Sequence, residues 1–333
     1  MRPARVAVLG GGRSSEHEVS LASSASVREG LREAGHEPIA IEIDRDGVWR
    51  RDGSEVAVSP GLGLDGVDVV FPVLHGPFGE DGTVQGLLEC LDVPYVGAGV
   101  LASALCMDKV MFKEVMKHAE LPQVDYRAVR AGELASDRSG VLARMEALGL
   151  PVFVKPARLG SSVGIVRVSE AADLAGALQT AFEHDELAIV EAAARGLEVE
   201  CSVLGNGDPV ASEPGEIVLA AGETGWYDYE AKYTPGGMQL VVPARVPPWV
   251  RENIQEMAIQ AFRHAGCSGL ARVDFFIEGE RVLLNELNTM PGFTATSVYA
   301  SLFEASGVPY AELLDRLVQL AFERHEAGRR HRH

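Results

Sequence analysis

Apolar positions recur along this chain with two periods, and the switches between them lay out its elements. Arg5-Val-Ala-Val-Leu9 is an unbroken apolar run closed by Gly10-Gly-Gly12, which predicts a buried strand ending in a loop. Helical spacing follows from about Val19 to Ala34, Gly35 suits a helix C-terminus, and Glu37 to Ile43 reads as a second strand. This βαβ opening predicts an open parallel sheet. Val67 to Leu74 is the next buried strand. The pattern turns helical again from Lys109 to His118, with a domain boundary near Met107-Asp108-Lys109. A second α/β unit follows, with a helix around Ser139 to Leu148 and short strands at Val152–Lys155 and Ile165–Val168. Leu187 to Glu191 is a strand, and Leu197 to Leu204 alternates around Glu198 and Glu200. An amphipathic helix runs from about Pro248 to Ala265, and two helical patterns close the chain near Ser297–Ala305 and Tyr310–Glu326.

Between these last helices, Arg272 to Asn288 forms two apolar runs around a turn signal at Gly279. Arg272, Asp274, Glu286 and Asn288 interrupt the runs. A side-chain period of two puts Arg272 and Asp274 on one face of the first strand and Glu286 and Asn288 on one face of the second. With Gly279-Glu280-Arg281 as the loop, Asp274 lies opposite Glu286 and Arg272 opposite Asn288. Two carboxylates and an amide oxygen then converge, a hard-oxygen set that suits Mg²⁺. A hairpin with one solvated face is the plainer alternative. The sharp turn at Thr289-Met-Pro-Gly292 favours the metal site.

Length and charge narrow the class. The 333 residues are enough for two or three domains. The net charge of −18 argues against nucleic acid or an anionic membrane as partner, and it requires a local basic pocket for any anionic ligand. Cys90, Cys106, Cys201 and Cys267 form no CxxC pair and read as scattered thiols of a reducing compartment. With no run of membrane-spanning length and no signal peptide, a cytoplasmic protein is expected.

Other candidate chemistry sits in loops. Ser14-Ser-Glu-His-Glu-Val-Ser20 places Glu16 and Glu18 near a helix N-terminus, where they complement the dipole; receiving a ligand ammonium is the alternative for one of them. His75-Gly-Pro-Phe-Gly-Glu-Asp-Gly82 ends a sheet strand, where open α/β sheets place ligand sites. Pro156 to Gly164 is a Gly/Ser-rich hairpin tip able to cradle phosphate beside Lys155 and Arg158. The aromatic, polar stretch from Gly222 to Gly237 has the character of a lid. The opening glycines do not spell GxGxxG, so a dinucleotide oxidoreductase has little support.

Five motifs in order, Gly11–Ser20, Leu74–Gly82, Val154–Gly164, Tyr227–Tyr233 and Asn285–Gly292, resemble those of the D-alanine–D-alanine ligases of the ATP-grasp superfamily. The resemblance covers nearly the whole chain. It implies an α/β, three-domain ATP-grasp architecture with an N-terminal open parallel sheet. Residues 1–107 would be the N-terminal domain, 108–192 the central subdomain with the phosphate loop, and 193–328 the C-terminal subdomain with the 222–237 lid and the metal site. It implies ligation of two D-alanines with ATP through an acyl phosphate, for peptidoglycan precursors, by a cytoplasmic homodimer. Lys109, Lys155, Ser161, Ser162 and Lys232 would hold ATP phosphates, and Glu191 and Glu198 its adenosine. Asp274, Glu286 and Asn288 would carry two Mg²⁺ or Mn²⁺ ions. Glu16 would take the first D-alanine's ammonium, Ser297 and the N–H of Val298 the second carboxylate, and His75 would also bind substrate. Arg272 and the N–H of Gly292 would form the oxyanion hole, and Tyr233 with Ser161 would link the lid to Glu16. Ala192-Ala-Ala-Arg195 departs from the bulkier residues usual beside adenine, while Leu159 and Met290 are milder variations. A D-alanine–D-lactate ligase, or another carboxylate–amine ligase of the superfamily, is the alternative. Tyr-Glu-Ala-Lys-Tyr in the lid speaks for the dipeptide type. An ATP-binding scaffold without catalysis would be expected to lack a metal ligand or Arg272.

Overall fold

The computed structural model describes residues 3–160, 163–219 and 237–330. The first apolar run is β1 (Arg5–Gly11), and α1 (His17–Glu33) returns the chain to β2 (Glu37–Ile43). After it come β3 (Trp49–Arg51), β4 (Ser54–Glu55), β5 (Val69–Pro72), α2 (Thr83–Leu91) and α3 (Val100–Met107). The strand order is β4-β3-β2-β1-β5. β1 runs parallel to both β2 and β5, which is why its sequence is apolar on both faces. β3 and β4 add antiparallel to that core. The expected parallel sheet is therefore parallel at its centre and antiparallel along one edge. The physical reason is connection length. The few residues between Ile43 and Trp49 make a turn in which Val48 N–H donates to Asp44 Oδ1 at 2.9 Å, far too short for a crossover.

A second sheet begins after α4 (Lys109–His118), whose N-terminus is capped by Asp108 accepting from the N–H groups of Val110 and Met111. It contains β6 (Tyr126–Arg130), α5 (Ala131–Ser136), α6 (Arg138–Glu146), β7 (Val152–Pro156), β8 (Val166–Val168), α7 (Leu174–Phe182) and β9 (Leu187–Ala192). The order is β6-β9-β7-β8, and β7 and β8 pair antiparallel as the expected hairpin around the Gly/Ser-rich tip. Met145, Val154, Leu178 and Val190 close its core.

The third unit is built on β10 (Leu197–Gly205), β11 (Val210–Ala211), β12 (Gly215–Leu219), β13 (Met238–Val241), α8 (Pro248–His264), β14 (Gly269–Glu278) and β15 (Arg281–Asn288). The described strands order as β13-β12-β10-β14-β15, with β11 against β10. Phe112 and Met116 of α4 share one apolar cluster with Phe262 of α8 and the inward residues of β10 and β14. The chain ends in α9 (Val298–Ala305) and α10 (Tyr310–Arg329), and α10 packs back on α1 and β5 of the first sheet. Phe293 joins the two ends. Its ring lies 5.4 Å from that of Phe71 and 5.3 Å from that of Tyr299, and the side chain is fully buried. Burying one phenylalanine is worth roughly 2–3 kcal/mol. The contact also fixes the Met290–Gly292 turn against the first sheet, at the mouth of the cleft described next.

Candidate active site

A cavity of about 560 Å³ lies where the three sheets meet. The β14–β15 hairpin forms one wall. Arg272 pairs with Asn288 and Asp274 with Glu286, as the alternation along the strands requires. The turn differs from the expected three-residue loop. Glu278 pairs with Arg281, so Gly279-Glu280 is a two-residue turn with Gly279 at φ 63°. That turn alone would set Asp274 opposite Asn285. A register shift between Asp274 and Phe275 makes Asn285 the extra residue of a β-bulge, and the bulge restores the Asp274–Glu286 pairing.

Three of the four polar residues, Arg272, Asp274 and Asn288, form one network. Arg272 Nε donates to Asp274 Oδ1 at 2.8 Å and Nη2 to Oδ2 at 2.7 Å. Asn288 Nδ2 donates to Asp274 Oδ2 at 3.0 Å, which leaves the amide oxygen as the atom a cation would take. Arg272, Glu286 and Asn288 line the cavity, while Asp274, 3% exposed, lies behind the guanidinium. Among the described residues there is no group of three or more His, Cys, Asp or Glu able to cage a metal. Two carboxylates and an amide oxygen nevertheless fit Mg²⁺, which is commonly held by one or two carboxylates and completed by substrate phosphates.

The opposite wall carries the cations. Lys109 opens α4, and its Nζ donates to Leu159 O at 2.6 Å, tying the helix to the Gly/Ser-rich tip. Lys155 Nζ lies 2.5 Å from Glu191 Oε2, and Lys113 Nζ lies 3.0 Å from Glu191 Oε1. Burial alone would raise the Glu191 carboxyl, but the two lysines pull it down to about 2. Burial likewise acts to lower Lys155, and Glu191 and then Glu286 outweigh it, so the ammonium is held above its ordinary range. Arg158 faces away, held by Asp185 through Nε at 3.0 Å and Nη2 at 2.5 Å. Glu198 lines the cavity with the apolar Phe153, Ile165, Leu197, Ile217 and Phe276, a slot able to take a nucleobase. Ala192 and Ala194 line it too, whereas Arg195 N–H donates outward to Glu278.

The first sheet supplies the third wall. Glu16 and Glu18, alike in sequence, part company here. Glu18 is exposed and pairs with Arg45 at 2.9 Å, whereas Glu16 is buried and lines the cavity. A Cβ on Gly76 would stand 2.8 Å from Glu16 Oε2, and one on Gly160 3.4 Å away, so bare backbone from two loops closes on that carboxylate. Gly76 also has φ +72°, which a side chain resists independently. His75 lines the cavity with Nδ1 3.1 Å from Met290 O and Nε2 3.4 Å from Ser23 Oγ. Burial lowers its pKa despite Glu16 nearby. Gly292 reaches the cavity beside Ser297, whose Oγ accepts from Thr294 N–H at 2.8 Å just before Val298 opens α9. Ser161, Ser162, Lys232, Tyr233 and nearly all of the 222–237 lid lie outside the described residues.

Three residues were given no site role by the sequence reading. Lys113 is 1% exposed and stands one helical turn from Lys109, so an i, i+4 lysine pair on a half-apolar helix was the available signal. Glu80 lines the cavity and accepts from Gly76 N–H at 2.6 Å; burial, then the nearby Glu16 carboxylate, push its carboxyl up to about 8. Glu200, 1% exposed, lies directly opposite Asp274 on β10, with Oε2 2.8 Å from Arg272 Nε.

The sequence matches the family models for the D-ala D-ala ligase N-terminus, over residues 5–62 and 57–98, and C-terminus, over residues 115–319. It is 46% identical over 337 aligned positions to the D-alanine–D-alanine ligase of Deinococcus radiodurans, covering 96% of this chain and 98% of that one. Among solved structures it resembles the D-alanine–D-alanine ligase from Coxiella burnetii, with a TM-score of 0.86, 35% identity, and coverage of 98% of this chain and 97% of that one. It also resembles the VanG D-Ala:D-Ser ligase from Enterococcus faecalis, with a TM-score of 0.85, 35% identity, and coverage of 96% and 100%.

Proposed function

The chain belongs to the D-alanine–D-alanine ligase family, and from that premise we propose how its residues join two D-alanines at the expense of ATP. The observation that carries the assignment is the gathering of Lys109, Lys155, Glu286 and Asn288 in one cavity that also receives Glu16, with Asp274 paired to Glu286 just behind its wall. Such a cavity can hold a nucleotide's phosphates between ammonium groups and a cation while fixing an amino acid by its ammonium.

The carboxylate of the first D-alanine, held through its ammonium by Glu16, attacks the γ-phosphorus of ATP. The P–O bond to ADP breaks, and D-alanyl phosphate forms. The amine of the second D-alanine then attacks the acyl carbon, the carbonyl oxygen takes up negative charge, and phosphate leaves with the acyl C–O electron pair and takes the proton that the nitrogen gives up. Lys109 and Lys155 hold the phosphates, and Glu191 and Glu198 face the adenosine end. The Arg272 guanidinium and the Gly292 N–H stabilise the oxyanion, which exists chiefly around the transition state. Ser297 and the Val298 N–H take the second carboxylate. Asp274, Glu286 and Asn288 would hold two Mg²⁺ ions, which when bound neutralise charge on the transferring phosphoryl group. Ser161, Ser162, Lys232 and Tyr233 keep their expected roles in this proposal. So do the homodimer and a cytoplasmic location, the latter supported by four free cysteines and the need for ATP. No helix among the described residues is long and apolar enough to cross a membrane.

The test is phosphate release with ATP and Mg²⁺ against D-alanine, L-alanine, D-serine and D-lactate, with the products identified by mass. D-Alanine alone should give the dipeptide and stoichiometric phosphate. Release that needs D-serine or D-lactate as a second substrate would overturn the dipeptide reading, and no release with any D-amino acid would overturn ligation.

A further inference from the structure

Glu200 has no part in the chemistry above, and its position asks for one. An ionised carboxylate buried in mid-strand is costly unless a cation holds it, and Glu200 is 1% exposed. The cation is Arg272. Its Nε lies 2.8 Å from Glu200 Oε2 and donates to Asp274 Oδ1, also at 2.8 Å. Glu200 and Asp274 are register partners on adjacent strands, so one guanidinium is gripped by two carboxylates standing side by side.

Resting on the reading of Asp274 as a cation ligand and Arg272 as oxyanion partner, we propose that Glu200 is a positioning residue that keeps the Arg272 guanidinium in place when Asp274 turns to the divalent cation. Asp274 cannot serve both equally. Arg272 and a divalent ion are both positive, and they compete for the same two oxygens, one of which already accepts from Asn288. Arg272 lines the cavity and Asp274 lies behind it, so a cation reaching Asp274 must loosen this ion pair. Glu200 stands on the neighbouring strand and is not one of the hairpin's ligands. It keeps its hold on Nε while Asp274 lets go, and the guanidinium neither follows the carboxylate nor swings onto the phosphates. The nearest alternative is a counter-ion that only balances buried charge and serves stability.

The experiment compares wild type, Glu200→Gln, Arg272→Met and the double variant as full-length proteins. Two quantities are read: kcat and KM for ATP and D-alanine, and Mn²⁺ affinity with ADP by electron paramagnetic resonance without turnover. Glu200→Gln should lower kcat about 10-fold with the KM for ATP little changed, a smaller loss than the ~10²–10³ for removing an oxyanion donor outright in Arg272→Met. Glu200→Gln should also weaken Mn²⁺ binding, because Asp274 becomes the main anchor of Arg272 and is harder to recruit. Arg272→Met, which removes the competitor, should not weaken it. The double variant should be no slower than Arg272→Met, since a residue acting through Arg272 has nothing left to act on. Wild-type kcat and Mn²⁺ affinity in Glu200→Gln would overturn the proposal, as would a double variant about 10-fold slower than Arg272→Met. That second comparison still decides the matter if the single Glu200 variant folds poorly. Wild-type kcat in Arg272→Met would instead overturn the functional reading, and the proposal with it.

Discussion

Replacing Glu191 with glutamine tests whether the second sheet depends on one buried charge. The carboxylate is 3% exposed and touches two ammonium groups, at 3.0 Å and 2.5 Å, one of them on a lysine that is itself 1% exposed. Two routes give the size of the effect. Its carboxyl is held at about 2 against an ordinary 4.5, with burial opposing that shift and Lys113 and Lys155 driving it. At about 1.36 kcal/mol per pH unit this amounts to roughly 3 kcal/mol. Independently, removing one partner of a buried ion pair costs about 3–5 kcal/mol, because the other charge stays behind. Glu191→Gln should therefore destabilise by roughly 3 kcal/mol at pH 7, measured by urea unfolding followed by far-UV circular dichroism. A depressed folded-state pKa contributes stability that is complete above the unfolded value and lost as pH falls through the folded one. The gap between wild type and variant should thus hold down to about pH 5 and shrink to roughly half by pH 3. Adding Lys113→Met should recover part of the loss, since it removes one stranded ammonium. A difference below about 1 kcal/mol at pH 7, or a gap that does not change on acidification, would refute the account.

Two further outcomes follow from the same geometry. Glu286→Gln should leave unfolding nearly unchanged but raise the Mg²⁺ concentration needed for half-maximal turnover, because a charged ligand becomes neutral; wild-type turnover at low Mg²⁺ would remove Glu286 from the metal site. Glu80, with its carboxyl raised to about 8, favours the folded state while neutral; that contribution is complete below the ordinary value of 4.5 and is lost as pH rises from there to about 8. Glu80→Gln should accordingly match wild type in melting temperature near pH 4, gain on it progressively between about pH 4.5 and 8 and hold a constant margin above that, and a difference independent of pH would show that Glu80 is not held as a neutral acid.

Much of this site was legible because alternation in strands is strict. Arg272, Asp274, Glu286 and Asn288 had to share a face once the register was set, and they do. The register itself was reached by the wrong route. A two-residue turn and a bulge at Asn285 add up to the same offset as a three-residue loop, and no local signal separates the two. The long helices α1, α4, α8 and α10 were found because their apolar stripes repeat over several turns. Helices α2, α3 and α7 and the strands β6, β12 and β13 were not read, being short or carrying little periodic contrast. The phosphate side was harder. Arg158 looked like a phosphate ligand from its neighbourhood, but Asp185, distant in sequence, claims it. Lys113 and Glu200 are buried partners of Glu191 and Arg272, and their meaning exists only once separate strands and helices are brought together.

The cavity also changes how an acidic chain takes an anionic substrate. The net charge of −18 called for a local basic patch. Among the described residues, three cations of this region are already answered. Lys155 rests on Glu191, Arg272 on Asp274 and Glu200, and Arg158 on Asp185 outside the cavity. A patch of bare cations would bind any polyanion and would repel the divalent ion that phosphoryl transfer needs. Alternating charges do neither, because a phosphate that draws on Lys155 must loosen an existing pair, and so must a cation that draws on Asp274. On the proposed reading the two exchanges relieve each other. Phosphates give the lysines a new partner, the cation gives the carboxylates theirs, and each ligand lowers the cost of admitting the other. Nucleotide and divalent ion are then coupled through the ion pairs of the cavity, and reciprocity follows as a thermodynamic necessity. Specificity for the metal–nucleotide complex over either component alone thus arises from the same pairing that lets these charges stay buried when the cavity is empty.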